Sequence, residues 1–480
     1  MTGAELLQDV PHEIVRGSLK IPITALAYDS RRVTPGTAFI ALPGMRVDGH
    51  DFAATAIQQG ASLIITGRAV ELPGQTTIVQ VENPRAVLAR IAARFHGEPA
   101  QQLHLIGITG TNGKTTVAFL VRELLRGVGR RCGLIGTVEY DLGDRVIPTA
   151  RTTPGALELH GYFSGMVRAG CGICVIEISS HALDQYRVAG LEFQTTAFTN
   201  LTQDHLDYHG DMERYFAAKR VLFTQQPADG QRLVNADSPF GQRLANEFAA
   251  TTFGESDSDL DLCITQLNLG QEKTKFTLDS LDFTMPLIGR HNVSNAAAAL
   301  GIVRAMGIEL ADCVPLLAAM PPVPGRLEPL REGQPFAVYV DYAHTDDALR
   351  QVLVTLREIT PGRLRVLFGC GGNRDTGKRR KMGEAAAALA DDIIITTDNP
   401  RRENPFLIAE QIAEGCPGKN RIELDRERAI DEILREAKPG DTVLIAGKGH
   451  ETYQEINDTV MPFDDRQEAR AVLATLNKGH

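Results

Sequence analysis

The sequence predicts an α/β protein of three domains, on three observations. The apolar run at 103–108 enters the turn Gly110-Thr111-Asn112-Gly113-Lys114-Thr115-Thr116, and residues 117–125 then repeat apolar side chains with helical spacing. Beyond Pro321-Pro322-Val323-Pro324-Gly325, the clearest linker in the chain, strand-like and helical runs alternate, which implies a parallel sheet with crossover helices. The length of 480 residues corresponds to about three domains at roughly 150 residues each. The boundaries read from these features are 1–100, 101–324 and 325–480.

In the first domain, runs at 38–42, 62–66 and 77–81 read as strands and 83–95 as a helix. The second opens with the strand at 103–108. It continues with strands at 131–137, 172–178 and 195–199, a helix over 212–224, β-like runs within 261–288 and an alanine-rich helix over 293–306. In the third, strands are expected at 337–341, 365–369, 392–397, 421–424 and 442–446, with helical patterns between them.

Composition excludes several classes. The hydrophobic share of 43% is ordinary for a globular protein, and the net charge of −10 argues against a dedicated nucleic-acid or anionic-membrane binder. The first residues, MTGAELLQDVPHEI, carry acids early and lack a long apolar core, so no export signal is expected, and no apolar run is long enough to insert into a membrane. Seven scattered cysteines suit a reducing, cytoplasmic setting, and the one CxxC, Cys171 to Cys174, reads as core packing.

A strand, a glycine-rich turn ending in Lys-Thr and a helix make a phosphate-binding loop. Its glycines let backbone N–H groups approach phosphate oxygens, and the helix N-terminus adds a positive dipole end. Lys114 would reach the terminal phosphates and the Thr115 hydroxyl would bind Mg²⁺, so the chain is expected to bind ATP and use its terminal phosphate. The general motif has glycine where this chain has Ile108.

Further polar groups fall at strand ends, where ligands of open α/β sheets sit. Glu177-Ile178-Ser179-Ser180-His181 ends one strand and Asn200-Leu201-Thr202-Gln203-Asp204-His205 the next. Each alone reads as a helix cap or loop; together with Thr115 of the phosphate loop they offer a carboxylate, an imidazole and a hydroxyl around a triphosphate. Lys219 lies on the helix over 212–224, where a lysine is by default a solvated surface residue. Asn292 and Asn295 are one turn apart; Asn292 could cap its helix, or the pair could face a nucleotide base. Arg326 follows the linker, and Asp341 ends the first strand of the third domain, where it suits a ribose hydroxyl or a metal.

Taken in order and spacing, GTNGKTT, EISSH, NLTQDHLDYHG, YFAAKRVLF, HNVSN, GR and DYAH resemble the Mur ligases, the ATP-dependent amino-acid ligases of peptidoglycan precursor synthesis, over nearly the whole chain. The resemblance implies an N-terminal uridine-nucleotide-binding domain, a central P-loop ATPase domain and a C-terminal Rossmann-like domain. It implies that Lys114, Lys219, Glu177 and His205 are catalytic. Thr115, Glu177, His205 and Lys219 as a carbamate would hold Mg²⁺. Asn295, Arg326 and Asp341 would lie on the adenine, phosphate and ribose sides of ATP, and the chain would act as a monomer.

Tyr28-Asp29-Ser30-Arg31-Arg32 and the loop from Gly44 through Arg46 to Phe52 are similar to the first domain of the third amino-acid-adding ligase of that family. Arg151-Thr152-Thr153-Pro154 and Ser179 with Gln185-Tyr186-Arg187 match it too. The resemblance implies that Tyr28, Ser30, Arg46, Thr152, Thr153, Ser179, Gln185 and Arg187 hold a UDP-muramoyl dipeptide. Ser30 alone could be a turn residue. Asp398-Asn399-Pro400-Arg401 resembles the signature of the members that add meso-diaminopimelate. An arginine fork can bind the second α-carboxylate bidentately, and L-lysine, lacking it, would leave Arg401 unpaired. Arg374, Gly447 and Glu451 fall at neighbouring strand ends, and Glu451 could take the distal ammonium. Arg401 could instead pair with a nearby acid. Addition of L-lysine, a folylpolyglutamate-synthetase-like ligase and a non-catalytic nucleotide switch are the competing readings.

Overall fold

Hydrogen-bonded short runs of β-branched and aliphatic residues form the framework, and the computed structural model of the chain describes residues 1–44, 47–149, 151–255 and 259–477. The chain folds into two compact units. The first comprises Met1–Thr109, Gly129–Ala197 and Ala217–Arg232; the second comprises Gly110–Val128, Phe198–Phe216 and Leu233–His480.

In the first unit, β1 (Glu13–Arg16), β2 (Ala25–Ala27), β3 (Thr37–Ile40), β4 (Leu63–Thr66) and β5 (Thr77–Gln80) lie in the order β1-β5-β4-β3-β2. All neighbours pair in parallel except β1, which closes an edge antiparallel to β5. Alternate residues serve two cores. Ala38, Ile40, Leu63 and Ile65 pack with Leu88, Ala89 and Ile91 of the helix Pro84–Phe95. Phe39, Ile64 and Ile78 pack with Ala53 and Ala56 of a second helix. Asn83 caps the first helix by accepting the N–H groups of Arg85 and Ala86, and Pro84 stands at its start. β6 (His104–Thr109), β7 (Cys132–Ile135), β8 (Glu139–Asp141), β9 (Val146–Pro148), β10 (Ile173–Glu177) and β11 (Thr195–Phe198) follow in the order β11-β6-β10-β7-β8-β9. β10 lies parallel between β6 and β7, and β7-β8-β9 is an antiparallel meander. Cys171 and Cys174 are buried, as core packing requires.

The second unit starts at the phosphate loop. Its helix Lys114–Gly127 packs against the helix Arg290–Ala305, whose Ala296 to Ala299 are fully buried. A helix enclosed on every side must be apolar all round, and alanine lets its neighbours approach closely. β12 (Gln231–Asn235), β13 (Thr251–Gly254) and β14 (Leu262–Leu269) pair in parallel; β15 (Thr274–Leu278) and β16 (Leu281–Met285) return antiparallel.

The C-terminal sheet consists of β17 (Glu328–Pro329), β18 (Ala337–Asp341), β19 (Leu364–Phe368), β20 (Asp392–Ile395), β21 (Asn420–Ile422) and β22 (Thr442–Ala446), ordered β17-β18-β22-β19-β20-β21. All pairs are parallel except β17 with β18. Val366, Phe368, Ile393, Ile395 and Leu444 face the helices Asp346–Ile359, Lys378–Leu389 and Pro405–Ala413. Leu367, Ile394, Val443 and Ile445 face Arg426–Arg435 and the helix Asp465–Asn477 on the other side. Strands covered on both faces explain the continuous apolar runs. The strand order changes direction between β18 and β19, and Asp341, Gly369 and Gly447 all lie at carboxyl ends there. A hairpin of β23 (Tyr453–Ile456) and β24 (Thr459–Pro462) follows. Its turn residues Asn457 and Asp458 both have positive φ, 49° and 60°, the conformation a two-residue hairpin loop demands.

One buried ion pair ties this sheet together. Arg426 meets Asp465 through Nε at 2.6 Å and Nη2 at 2.7 Å, both side chains fully buried. The same guanidinium donates to the carbonyls of Thr397 at 3.3 Å and Ala446 at 3.0 Å, the residues before Asp398 and Gly447. Removing one member leaves the other charge buried and alone. Asp465→Ala should therefore lose about 3–5 kcal/mol of stability, and the double replacement Arg426→Met with Asp465→Leu much less. Denaturant midpoints of the three proteins check this; equal losses would contradict it.

Candidate active site

β6 delivers the chain into the phosphate loop, and Gly113 starts the helix Lys114–Gly127 with φ +87°, a left-handed conformation that side chains disfavour. A Cβ on Gly113 would also run into the Asn295 amide oxygen. Lys114 Nζ donates to the carbonyls of Gly110 at 2.9 Å and Thr111 at 2.8 Å. The segment after β11 grips the loop. Thr111 N–H donates to the Asn200 carbonyl at 2.9 Å, Asn112 N–H to Asn200 Oδ1 at 2.9 Å, and Thr202 N–H to Thr111 Oγ1 at 3.1 Å. The buried Tyr215 hydroxyl lies 3.2 Å from Thr111 Oγ1. Asp347, in the first turn of Asp346–Ile359, accepts from Asn112 Nδ2 at 3.3 Å and Thr202 Oγ1 at 2.9 Å.

A cleft opens beside this loop, lined by Gly113, Thr115, Thr116, Asn295, Arg326 and Asp341 among others. Asn295 Nδ2 donates to Asn292 Oδ1 at 3.1 Å, so the two amides form one buried pair. Arg326 stacks over the Tyr342 ring at 4.9 Å and donates to the Thr115 hydroxyl at 3.1 Å. The buried Asp341 carboxylate accepts the N–H groups of Leu327 at 2.6 Å and Ala343 at 2.8 Å, which fixes the turn that carries Arg326. Burial raises the Asp341 pKa against the lowering pull of Arg326 and these two bonds. His344 donates through Nδ1–H to the Tyr342 carbonyl at 2.9 Å; desolvation pushes its pKa down to about 4, so the ring is neutral near pH 7.

Within the first unit a second polar cluster forms. The fully buried Glu177 accepts Thr137 N–H at 2.9 Å and Thr137 Oγ1 at 3.0 Å. Thr152 Oγ1 lies 3.1 Å from Thr137 Oγ1, and Thr153 Oγ1 donates to the Glu177 carbonyl at 2.8 Å. Ser179 caps the helix Ser180–Asp184 by accepting Ala182 N–H. Arg187 donates to the Thr153 carbonyl at 2.9 Å and to Gln185 Oε1 at 2.7 Å. Tyr28 donates to Glu158 at 2.6 Å, and Ser30 is buried in a short turn capped by Asp29. Arg46 lies outside the described residues. Lys219 is only 1% exposed, so its place on the helix Met212–Thr224 is interior and the default of a surface lysine is corrected. His205 is exposed, has φ +55° and sits 3.5 Å from Asp204.

The C-terminal motifs converge on a third cluster. Buried Lys448 reaches Asn399 Oδ1 at 3.2 Å and Glu451 Oε2 at 3.3 Å, and Asn399 Nδ2 donates to Glu451 at 2.9 Å. Asp398 is buried, and a Cβ on Gly447 would approach its Oδ2 to 2.8 Å. Burial raises the pKa of half-buried Glu451, Asp398 adding to this and Lys448 opposing it. Arg401 donates through Nε to Glu455 at 3.0 Å and through Nη1 to the Gly372 carbonyl at 2.8 Å. It is therefore not left unpaired when no second carboxylate is present, which corrects the sequence expectation. A methyl on Gly371 would lie 3.9 Å from Arg374 Cγ and 3.0 Å from Arg401 Nη1, so the two arginines flank one glycine; Arg374 is exposed. Pro400 directs the chain between Asn399 and Arg401, and its carbonyl accepts Glu403 N–H at 3.0 Å.

Three family models match: the Mur ligase family catalytic domain over residues 22–96, the Mur ligase middle domain over 108–303 and the Mur ligase glutamate ligase domain over 325–449. A UDP-N-acetylmuramoyl-L-alanyl-D-glutamate--2,6-diaminopimelate ligase of Solibacter usitatus is 44% identical, the match covering 98% of each chain. The chain belongs to the Mur ligase family. A relative of the same description from Gloeobacter violaceus is 43% identical over 95% of this chain and 94% of its own. A solved structure of a UDP-N-acetylmuramoyl-L-alanyl-D-glutamate--2,6-diaminopimelate ligase superposes with a TM-score of 0.69 at 32% identity, covering 99% of both chains. The Mycobacterium tuberculosis folylpolyglutamate synthase shares the fold at 18% identity, with a TM-score of 0.64 over 81% of this chain.

Thr137, Asp347, Lys448 and Glu455 contact the expected site residues and were not themselves expected from the sequence. Thr345 and the acids after it carry a helix-start signal that points to Asp347, since the Thr345 side chain caps by accepting Ala348 N–H. Lys448 lies between Gly447 and Glu451, which the sequence already marks. Nothing in the sequence marks Glu455 before the hairpin register is known.

The loop geometry yields a test. Gly113→Ala carries a conformational cost of about 1–2 kcal/mol from its backbone angle alone, before the collision with Asn295. Its affinity for ATP, titrated by calorimetry, should fall more than about tenfold, while Gly129→Ala, at a distant positive-φ glycine with open space around it, should leave affinity unchanged. Equal affinities for all three proteins would contradict the role of the turn.

Proposed function

We propose that this chain is the ATP-dependent ligase that joins meso-2,6-diaminopimelate to the D-glutamyl γ-carboxylate of UDP-N-acetylmuramoyl-L-alanyl-D-glutamate in the cytoplasm. The observation that carries the reading is the C-terminal cluster. Arg401, Arg374 and Glu451 offer cationic and anionic groups at neighbouring strand ends, which suits a zwitterionic end bearing both a carboxylate and an ammonium. The full-length likeness to relatives so described supports the same substrate.

The γ-carboxylate oxygen attacks the γ-phosphorus of ATP, the bond to the β,γ-bridging oxygen breaks, and ADP remains beside an acyl phosphate. Lys114 and the loop N–H groups neutralise the transferring phosphoryl group. The amine of diaminopimelate then attacks the acyl carbon, the C–O bond to phosphate breaks, and the amine proton passes to solvent. Asn295, Arg326 and Asp341 orient the nucleotide, and Thr152, Thr153, Ser179 and Arg187 with Tyr28 and Ser30 orient the UDP-dipeptide. Thr115 and Glu177 supply hydroxyl and carboxylate oxygens, the donors a hard cation prefers. That fits magnesium, which is commonly held by one or two carboxylates and substrate phosphates. Thr115, Glu177, His205 and Lys219 would hold it, and when bound it would offset phosphate charge. A carbamate on Lys219 would be an anion able to face a cation, where an ammonium is not. Labelled bicarbonate should give a carbamate carbon signal that Lys219→Ala lacks; its presence in both would remove the assignment.

Phosphate release with ATP, Mg²⁺ and the UDP-dipeptide decides the substrate. Turnover with meso-diaminopimelate and little with L-lysine is expected, with the joined product seen by mass. Preference for lysine would discard the reading of Arg401, and turnover of folates without the UDP-dipeptide would discard the whole assignment.

Acid should weaken amino-acid binding early. Glu451 must be ionised to hold an ammonium, and its pKa is raised, so it takes a proton at higher pH than an exposed glutamate does. The KM for diaminopimelate should rise as pH falls through that range, and the high KM of Glu451→Gln should stay flat there. The same acid limb in both proteins would contradict the role of Glu451.

A further inference from the structure

Arg401 is held by two residues of the hairpin, Glu455 and Asn457. Its backbone N–H donates to the Glu455 carbonyl at 3.1 Å, its own carbonyl accepts Asn457 N–H at 2.8 Å, and its Nε donates to Glu455 Oε2 at 3.0 Å. The residue has φ +53°, rare for a bulky side chain, and such conformations persist only where the surroundings impose them. Here the surroundings are β23, whose register the Asn457-Asp458 turn sets, and Asn399, whose Oδ1 accepts Glu455 N–H at 3.0 Å. Glu455 thus contacts both ends of the Asn399-Pro400-Arg401 segment.

A guanidinium offers two bidentate edges, one through Nε and Nη2 and one through Nη1 and Nη2. With Nε on Glu455 and one Nη1 proton on the Gly372 carbonyl, an incoming carboxylate is left the other Nη1 proton and Nη2. The Gly372 carbonyl and Glu455 hold the guanidinium from two sides, and the missing side chain at Gly371 keeps the space beside Nη1 open. Both side chains are partly buried, 21% exposed for Arg401 and 27% for Glu455, which limits screening of the pair by water.

We propose that Glu455 is a positioning residue for amino-acid selection: it orients Arg401 so that the Nη1–Nη2 edge meets the second carboxylate of the incoming diamino diacid. The inference rests on the reading of Arg401 given above. Because Glu455 already neutralises Arg401, discrimination against lysine comes from the two bonds a carboxylate gains at that edge, not from a stranded cation.

Four variants and a full steady-state analysis test this. Glu455→Met keeps the stem and removes the carboxylate; it should raise the KM for meso-diaminopimelate about tenfold or more, the loss expected for a charge-assisted hydrogen bond. Its kcat at saturating amino acid, and its KM for ATP and for the UDP-dipeptide, should stay within about twofold. Glu455→Gln keeps an acceptor for Nε and should recover most of the KM. Arg401→Ala should raise the same KM, and Glu455→Met added to it should have no further effect, as coupling through Arg401 requires. If Arg401→Ala raises the KM and Glu455→Met does not, the positioning role is wrong and the Arg401 reading stands. If Arg401→Ala leaves the KM unchanged, the Arg401 reading itself is wrong. Loss of kcat, thermal stability and all three KM values together in Glu455→Met, unrecovered by Gln, would make Glu455 merely structural and overturn the proposal.

Discussion

The buried pair of Arg426 and Asp465 is the constraint on which the C-terminal cluster depends. Both side chains are fully enclosed, so each would carry a large desolvation penalty alone. The penalty is offset only because the pair is bidentate and the remaining guanidinium protons reach two carbonyls. Those carbonyls belong to Thr397 and Ala446, and the chain after each turns at once into Asp398-Asn399-Pro400-Arg401 and Gly447-Lys448. Apolar replacements could fill the same space, but they would not fix two strand ends against each other. The geometry of Asn399, Lys448 and Glu451 follows from that fixed distance, and Glu455 and Arg401 follow from the hairpin hung upon it.

A comparable economy governs the phosphate loop. Glycine is needed at Gly113 because the helix must start from a left-handed residue with Asn295 close by. Asn200 and Thr202 hold the loop by main-chain and amide bonds, and Asp347 joins Asn112 to Thr202. The loop is therefore shaped by contacts with its own unit before any phosphate arrives, as preorganised electrostatic catalysis requires.

Much of the fold was legible in the sequence. The runs at 337–341 and 442–446 are β18 and β22, and the helix expected over 212–224 is Met212–Thr224. Such runs are strongly apolar because both faces are covered. The hairpin β23–β24 escaped because its second strand is exposed along its length and carries no alternating pattern; only the Asn457-Asp458 turn announces it. At the site, motifs spelled out residue types but not partners. Lys219 looked like a surface lysine because its helix has mixed polarity, and only packing shows it inside. Arg401 stood out within its motif, but its partner Glu455 lies 54 positions away, and a contact across that distance depends on the hairpin register. The buried pair was invisible for the same reason, its members being 39 positions apart on separate helices.

The central claim is that this Mur ligase reads the far end of meso-diaminopimelate with Arg401 and Glu451. A crystal structure of the chain with that amino acid and the UDP-dipeptide bound tests it most directly. The account predicts the second carboxylate on the Nη1–Nη2 edge of Arg401, the far ammonium on Glu451, and Arg401 Nε still bonded to Glu455. A carboxylate bound elsewhere, with Arg401 facing only Glu455 and Gly372, would contradict it.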